Sequence, residues 1–251
     1  FHVNDSTNSY LSVSRGRRPN VLAFNVNAAG NGYDKVVLPA ETIMSYELGL
    51  KGEANGGRFA YDLSAFYYDY NNFQSEAFQG GRLLRLNAGR ASVPGFEASL
   101  QQAFSDRFSG FVNYSYLHAR FADKDNQGRE QAYAGNHLRL APDHTLAVGV
   151  QWNQPLANGR NLYVRPSYTW RSKIYFEDDN NPAYAQPAYG LLNLRAGVTF
   201  DKGRWDLGVW GANLLDKKYL MDAGNVGENF NLGTYIPGAP RTFGISISGK
   251  F

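Results

Sequence analysis

His118 and His137 flank a polar stretch of the chain and are the first residues whose chemistry asks for a partner. Imidazole nitrogens ligate metal or haem iron, but two histidines without a third ligand make a poor site. His118 with Asp123 or Asp125 would be the beginning of a proton-transfer dyad, yet no arrangement in the chain signals an activated nucleophile. No catalytic residue and no cofactor is therefore expected. Glu177, Asp178 and Asp179 offer hard oxygens of the kind that hold Ca²⁺; without fixed ligand spacing they read as a solvated acidic loop. In "RGRRPN", Arg15, Arg17 and Arg18 form a basic cluster that would draw an anionic chelate, an acidic sugar or lipopolysaccharide phosphates through charge-assisted hydrogen bonds. Two segments combine flat aromatic faces with adaptable amide donors. "KIYFEDDNNPAYAQPAY" supplies Tyr175, Asn180, Tyr184 and Tyr189; "MDAGNVGENFNLGTYIPG" supplies Asn225, Asn229 and Tyr235. These ten residues are the candidate ligand contacts, and no metal site is expected.

The bulk composition restricts what can position them. Cysteine is absent, which removes disulfides and thiol catalysis together. A formal charge of +3 over 251 residues gives no reason to expect a nucleic-acid partner. Aromatics reach 15% while mean hydropathy is only −0.45. A lipid-facing β-barrel reconciles the two, because half of each strand is apolar and the other half lines a wet lumen. No run approaches the roughly 18 apolar residues of a membrane helix.

Alternation of apolar and polar residues yields about ten strand candidates, most of them about 9 to 15 residues long, against roughly 5–6 in ordinary globular sheets. "IMSYELGLKGE" sets Met44, Tyr46, Leu48 and Leu50 against Ser45, Glu47, Gly49 and Lys51. "HTLAVGVQW" and "NLYVRPSYTWR" divide in the same way, and the chain ends on "RTFGISISGKF". The opening segment around 9–15 carries the weakest signal. Short polar links at 53–57, 105–107, 153–160 and 201–204 alternate with long ones at roughly 16–40, 71–84, 122–137, 172–188 and 217–238. Short turns on one rim and long loops on the other are the outer-membrane pattern, with the short turns periplasmic. Phe59, Phe108, Trp152, Trp205 and Phe251 fall near the short-turn ends; Tyr67, Tyr116, Trp170 and Phe243 fall near the long-loop ends. Eight residues of tilted strand rise roughly 20 Å, about the separation of two aromatic girdles.

These segments resemble, in order, the barrel of TonB-dependent outer-membrane receptors. "SYLSVSRGRRP", "ETIMSYELGLKGE", "LNAGRASVPGFEASL", "APDHTLAVGV", "GANLLDKKY" and "GAPRTFGISISGKF" carry the resemblance over residues 8 to 251. It implies an all-β, antiparallel, up-and-down transmembrane barrel of about 22 strands with a plugged lumen, of which about ten C-terminal strands are present and the plug is not. On that reading residues 1–251 are one domain, the C-terminal portion of the barrel from about the thirteenth strand onward. The implied function is TonB-energised uptake of a scarce ligand, a ferric siderophore before an oligosaccharide, haem or cobalamin. The implied partners are the TonB complex through the missing plug, the barrel-assembly machinery at the last strand, lipid and lipopolysaccharide, and the small-molecule ligand, all at the outer membrane of a Gram-negative bacterium. Two rival classes stay open: a passive porin lined by Glu47, Arg58, Arg165, Arg171 and Arg195, and a small barrel enzyme built on His118.

Overall fold

Alternating residues become the two faces of one antiparallel sheet. The computed structural model describes residues 2–27, 29–79, 82–224 and 232–250, so Asn225, Asn229 and Phe251 lie outside the described residues. In chain order the strands are β1 (His2–Asn4), β2 (Thr7–Arg18), β3 (Val21–Val26), β4 (Tyr33–Leu38), β5 (Glu41–Ala54), β6 (Phe59–Asn71), β7 (Gln74–Gln79), β8 (Arg82–Asn87), β9 (Ala91–Ala103) and β10 (Phe108–Leu117). They continue as β11 (Arg120–Phe121), β12 (His144–Pro155), β13 (Asn161–Arg171), β14 (Ile174–Tyr175), β15 (Ala185–Gln186), β16 (Tyr189–Phe200), β17 (Trp205–Ala212), β18 (Leu220–Gly224), β19 (Thr234–Pro237) and β20 (Thr242–Gly249).

The main sheet runs β1-β2-β5-β6-β9-β10-β12-β13-β16-β17-β20, each strand antiparallel to the next. The sheet is open, with β1 and β20 at its ends. Long strands in simple up-and-down order, joined alternately by tight turns and long excursions, are ten staves of a barrel wall. The shorter strands pair among themselves as hairpins inside the long excursions: β3 with β4, β7 with β8, β14 with β15, and β18 with β19.

Cross-strand register carries each apolar stripe into the next. Val13 faces Tyr46, Tyr46 faces Tyr67 and Tyr67 faces Pro94; farther on, Val112 faces Val148, Val148 faces Tyr168 and Tyr168 faces Leu192. The stripe ends on Val209 opposite Ile245, which is 74% exposed. A continuous apolar face of this extent belongs against hydrocarbon. The aromatic residues expected to form the two girdles share this face. Phe59, Phe108, Trp152 and Trp205 stand by the short turns, where Phe108 opposes Trp152; Tyr67, Tyr116, Trp170 and Phe243 stand by the long loops.

The inner face is polar and knitted across strands. Tyr10 donates to Glu47 at 2.6 Å, and the Ser99 hydroxyl donates to Asn113 at 2.8 Å. Lower down, Tyr163 is 1% exposed and donates to Asp206 at 3.0 Å. Arg195 bonds both, and the Arg165 guanidinium lies 4.5 Å over the Tyr163 ring. Tyr163 lies over Gly197 and Gly208 of neighbouring strands. A Cβ on Gly197 would stand 2.6 Å from its hydroxyl and 2.5 Å from the Leu207 carbonyl oxygen, so glycine is what lets the ring lie flat on the wall.

The weakest strand expectation holds, and two other expectations are corrected. The weak opening segment is a full strand: β2 pairs with β5 along its whole length, from Thr7–Gly52 to Arg18–Glu41. Its serine-rich alternation is faint, but a strongly patterned neighbour templates it. The segments 16–40, 71–84, 172–188 and 217–238 are not plain loops, since each contains hairpin strands. Finally, Arg15, Arg17 and Arg18 do not form one cluster. They end β2, where alternate residues face opposite ways; Arg15 and Arg17 share the face of Val13, and Arg18 turns to the other face, 3.9 Å from Glu41.

Candidate functional site at the long-loop end

Above the wall the long excursions are stitched into one layer, and most stitches are amide or carboxylate side chains gripping another loop's backbone. Asn25 bonds the Arg85 carbonyl and amide together, at 3.0 and 2.9 Å. Gln74 reaches the carbonyls of Pro19 and Pro39. Gln131 receives the Arg90 amide and donates to the Arg90 and Ala122 carbonyls. Asn180 accepts the His137 amide at 2.7 Å and donates to its carbonyl at 2.9 Å, and Gln186 accepts the Leu220 amide at 2.7 Å. Such bonds satisfy the polar backbone of irregular segments, which is what lets them stack close together.

Asp178 is the hub of this layer. It is 4% exposed; its carboxylate accepts the Ser75 hydroxyl and the Arg139 amide, and its carbonyl accepts Asn136 Nδ2. Apolar cores lie beneath, among them two built largely from the excursions themselves. Phe121 and Tyr133 pack with Ala88 and Ala91; Phe176, Tyr184 and Tyr189 pack with Ile174 and Ala223. Burial first, and then the charges of Asp178, Asp179 and Glu177, push the Tyr133 phenol up to about 12.

The charged groups beside this layer are paired tightly. Arg120 holds Asp143 bidentately, both bonds 2.9 Å, and His137 Nδ1 lies 3.7 Å from the same carboxylate. Burial opposes the Asp143 charge, but the Arg120 hydrogen bonds and positive charge outweigh it and hold the carboxyl below its ordinary value. Burial and the nearby Arg120 charge press the His137 pKa below its ordinary value.

On the inner face of the wall, just under the layer, a cavity of 330 Å³ opens among Thr169, Arg171, Tyr189, Leu191, Tyr219 and Met221. Arg171 and Tyr189 are cross-strand partners, and Tyr189 stacks on Tyr219 with ring centroids 4.7 Å apart. Nearby, Lys173 lies 4.1 Å over the Tyr175 ring, whose other neighbour is the His137 ring at 5.2 Å. A guanidinium beside stacked phenols and apolar side chains suits an anion that also carries flat or apolar surface.

The model of the TonB-dependent receptor-like β-barrel matches this chain over residues 1–214. The chain belongs to the TonB-dependent receptor β-barrel family. It is 25% identical over 261 aligned residues to the ferric-pyoverdine M114 receptor PbuA of Pseudomonas sp. (strain M114), an alignment that takes in 100% of this chain and 29% of that receptor. Among solved structures it is similar to the ferric yersiniabactin uptake receptor FyuA of Yersinia pestis, with a TM-score of 0.78, 22% identity, and coverage of 98% of this chain and 35% of the other. The ferripyoverdine receptor of the Pseudomonas aeruginosa outer membrane, bound to ferripyoverdine, gives 0.67, 19%, 98% and 31%. The chain thus spans about a third of the length of the receptors it matches.

Within this TonB-dependent barrel the residues singled out from sequence separate. Tyr184 and Tyr189 are buried in a core, Tyr184 against Tyr235 at 6.1 Å. Asn180 spends its amide on the His137 backbone of another loop and on the Glu177 carbonyl of its own. Tyr175 is partly buried between Lys173 and His137, and Tyr235 is exposed. The acidic run is not a solvated loop: Asp178 is buried, Glu177 lies 3.9 Å from Arg139, and Asp179 accepts the Asn181 amide. Asp125 pairs with Arg129 of its own loop at 2.7 Å, while His118 lies by His137 and Asp143. Among the described residues no three His, Asp or Glu side chains converge with metal-holding geometry. Arg171, Tyr219 and Met221 were not among the sequence candidates. Arg171 was legible as an inward charge; the other two sit where only the fold of the last excursion brings them to the wall.

Proposed function

We propose that this chain is the C-terminal part of the barrel of an outer-membrane receptor that takes up a ferric siderophore with energy from TonB. The observation that carries the reading is the cavity of Arg171, Tyr189 and Tyr219 on the inner wall beneath a stitched loop layer, in a chain whose relatives are receptors for ferric chelates. Ferric siderophores are commonly anionic and carry planar donor groups, which a guanidinium and stacked phenols complement. Tyr175 and Tyr235 supply further aromatic contacts at the rim. Residues 1–251 act as a single domain, continuous with further strands and a plug that couples to TonB. The barrel-assembly machinery engages the last strand, and lipid and lipopolysaccharide surround the apolar face.

The test is binding of ferric chelates to the complete protein, followed by quenching of intrinsic fluorescence and by growth of an iron-starved strain that depends on it. A ferric siderophore that binds and supports growth only with functional TonB supports the reading. Growth that is indifferent to TonB would replace it with a passive pore.

A further inference from the structure

We propose that the inner wall carries a second anion subsite near the short turns, built on Arg165 with Ser109, Gln151 and Ser167, which receives the cargo below the Arg171 cavity. The proposal deepens the uptake reading above and rests on it. Arg171 and Arg165 lie six positions apart on β13, so both face inward, with Arg165 about 20 Å nearer the short turns. A cavity of 540 Å³ opens there, lined by Arg58, Gln101, Ser109, Gln151, Arg165 and Ser167. Register places these side chains on one face. Gln101 is opposite Phe111, Phe111 opposite Gly149, and Gly149 opposite Ser167, while Ser109 is opposite Gln151. The cavity sits at a gap in the pairing of the wall. β12 and β13 keep one register throughout, yet the pairing lapses between Gly149–Ser167 and Trp152–Val164, where Pro166 has no N–H to give.

Uncommitted donors distinguish this cavity from the loop layer, whose amides are taken up in backbone bonds. Among the described residues the side chains of Gln101, Ser109, Gln151 and Ser167 make no hydrogen bond. Of the inward arginines, Arg58 has Asp106 and Arg195 has Asp206, each at 3.2 Å. Arg165 stands directly opposite Arg195, a like-charge pair, and no carboxylate pairs with it among the described residues. Its guanidinium rests 4.5 Å over the Tyr163 ring, a contact that holds it in place without using an N–H. One space is thus surrounded by a free planar donor fork, two hydroxyls and two amides. That set fits the carboxylate or phenolate oxygens of an anionic chelate. Val164, the neighbour of Arg165, faces Trp152 by the short turn, so an anion leaving Arg171 meets a second guanidinium before the far rim. A carboxylate side chain of the plug has the same chemistry, and the experiment separates the two sources.

The test uses the complete protein carrying Ser167→Cys and small methanethiosulfonate reagents that bear a sulfonate, no charge or a trimethylammonium group. The protein without that cysteine is the blank, and rates are normalised to those with a free thiol in solution. With Arg165 in place the sulfonate reagent is expected to react about tenfold faster than the neutral one, and the trimethylammonium reagent more slowly. Arg165→Gln should abolish that order, and Arg165→Lys should keep it in part. Labelling that ignores charge while Arg165 is present would overturn the subsite. Cargo is read separately, with a ferric siderophore that passes the binding test above. Arg165→Gln should lower the maximal rate of TonB-dependent radioiron uptake about tenfold, while the affinity read by fluorescence quenching stays with Arg171. Uptake at the native rate, or a loss that falls on affinity instead, would overturn the role in transport. A site closed to all three reagents, with a lower denaturant midpoint in Arg165→Gln, would assign the resident anion to the plug and overturn the cargo assignment. Failure of every ferric siderophore to bind the native protein would remove the uptake reading, whereas the order of the three reagents reports the subsite by itself. Heat-modifiable electrophoretic mobility confirms that each variant is folded.

Discussion

Asp178 and Ser75 stand 103 positions apart in sequence and share a buried hydrogen bond that ties the fourth long excursion to the second. Because the same carboxylate also accepts the Arg139 amide, one side chain holds three excursions in fixed relation. Asp178→Ala leaves the Ser75 hydroxyl and the Arg139 N–H without their partner. The expected cost to the layer is about 1–3 kcal/mol per stranded group, with the barrel wall unaffected. Hydrogen exchange should rise together in 72–79, 118–143 and 172–188 and stay unchanged in β12 and β13; a rise confined to one segment would mean that the layer is not a unit.

The proposed ligand cavity is testable apart from the loop layer. Arg171→Ala should weaken binding of a ferric siderophore by about tenfold or more, because a charge-assisted bond to the chelate is lost. Stability should hold, since Arg171 is exposed and no carboxylate pairs with it among the described residues. Arg171→Lys should recover only part of the affinity, because an ammonium keeps the charge but not the fork. Titration by fluorescence quenching reads all of these, and full affinity in Arg171→Ala would remove the residue from the site.

Acid should loosen the excursion 118–143 in two steps of the same sign. His137 has its pKa pressed below the ordinary value by burial and by Arg120, so its contribution is complete above about pH 6.5 and is lost as pH falls through the lowered value. Asp143, held below its ordinary pKa against burial by Arg120, contributes fully above about pH 3.9 and loses that contribution below it. Exchange in 118–143 should therefore accelerate first below about pH 6.5, and in Arg120→Gln both titrations should move upward. Exchange that stays flat once corrected for the intrinsic pH rate would refute the assignment.

The seat of Tyr163 on Gly197 tests packing in the wall. Gly197→Ala sets a methyl group against both the Tyr163 hydroxyl and the Leu207 carbonyl, and backbone cannot yield as a side-chain tip can. The expected loss is about 1–3 kcal/mol, the usual cost of overpacking, read from denaturant midpoints of the refolded complete protein. A smaller partner in Gly197→Ala with Tyr163→Phe should return some of it.

On the outer surface, Ile245→Arg should cost about 2–4 kcal/mol of stability in vesicles if the position lies near the bilayer centre. Ser248→Arg, on the inner face of the same strand, should cost much less. Equal costs would deny the assignment of faces.

The sequence by itself determined the wall. A period of two in Met44–Leu50 or Leu146–Trp152 assigns faces without any knowledge of neighbours, and tight turns such as "EANGG" fix which strands must pair. The expected girdle positions follow from the same counting. Only the tertiary structure decided the mouth. Asn180 and Tyr184 read as ligand contacts because amides and phenols bind ligands, yet the same groups satisfy loop backbone and fill loop cores. Asp178 reads as solvated until Ser75 and Arg139 arrive from elsewhere in the chain. Strand patterning is local and repeats, so it is legible along the chain. Loop contacts are made once, between segments far apart, and nothing in either segment alone encodes the partner.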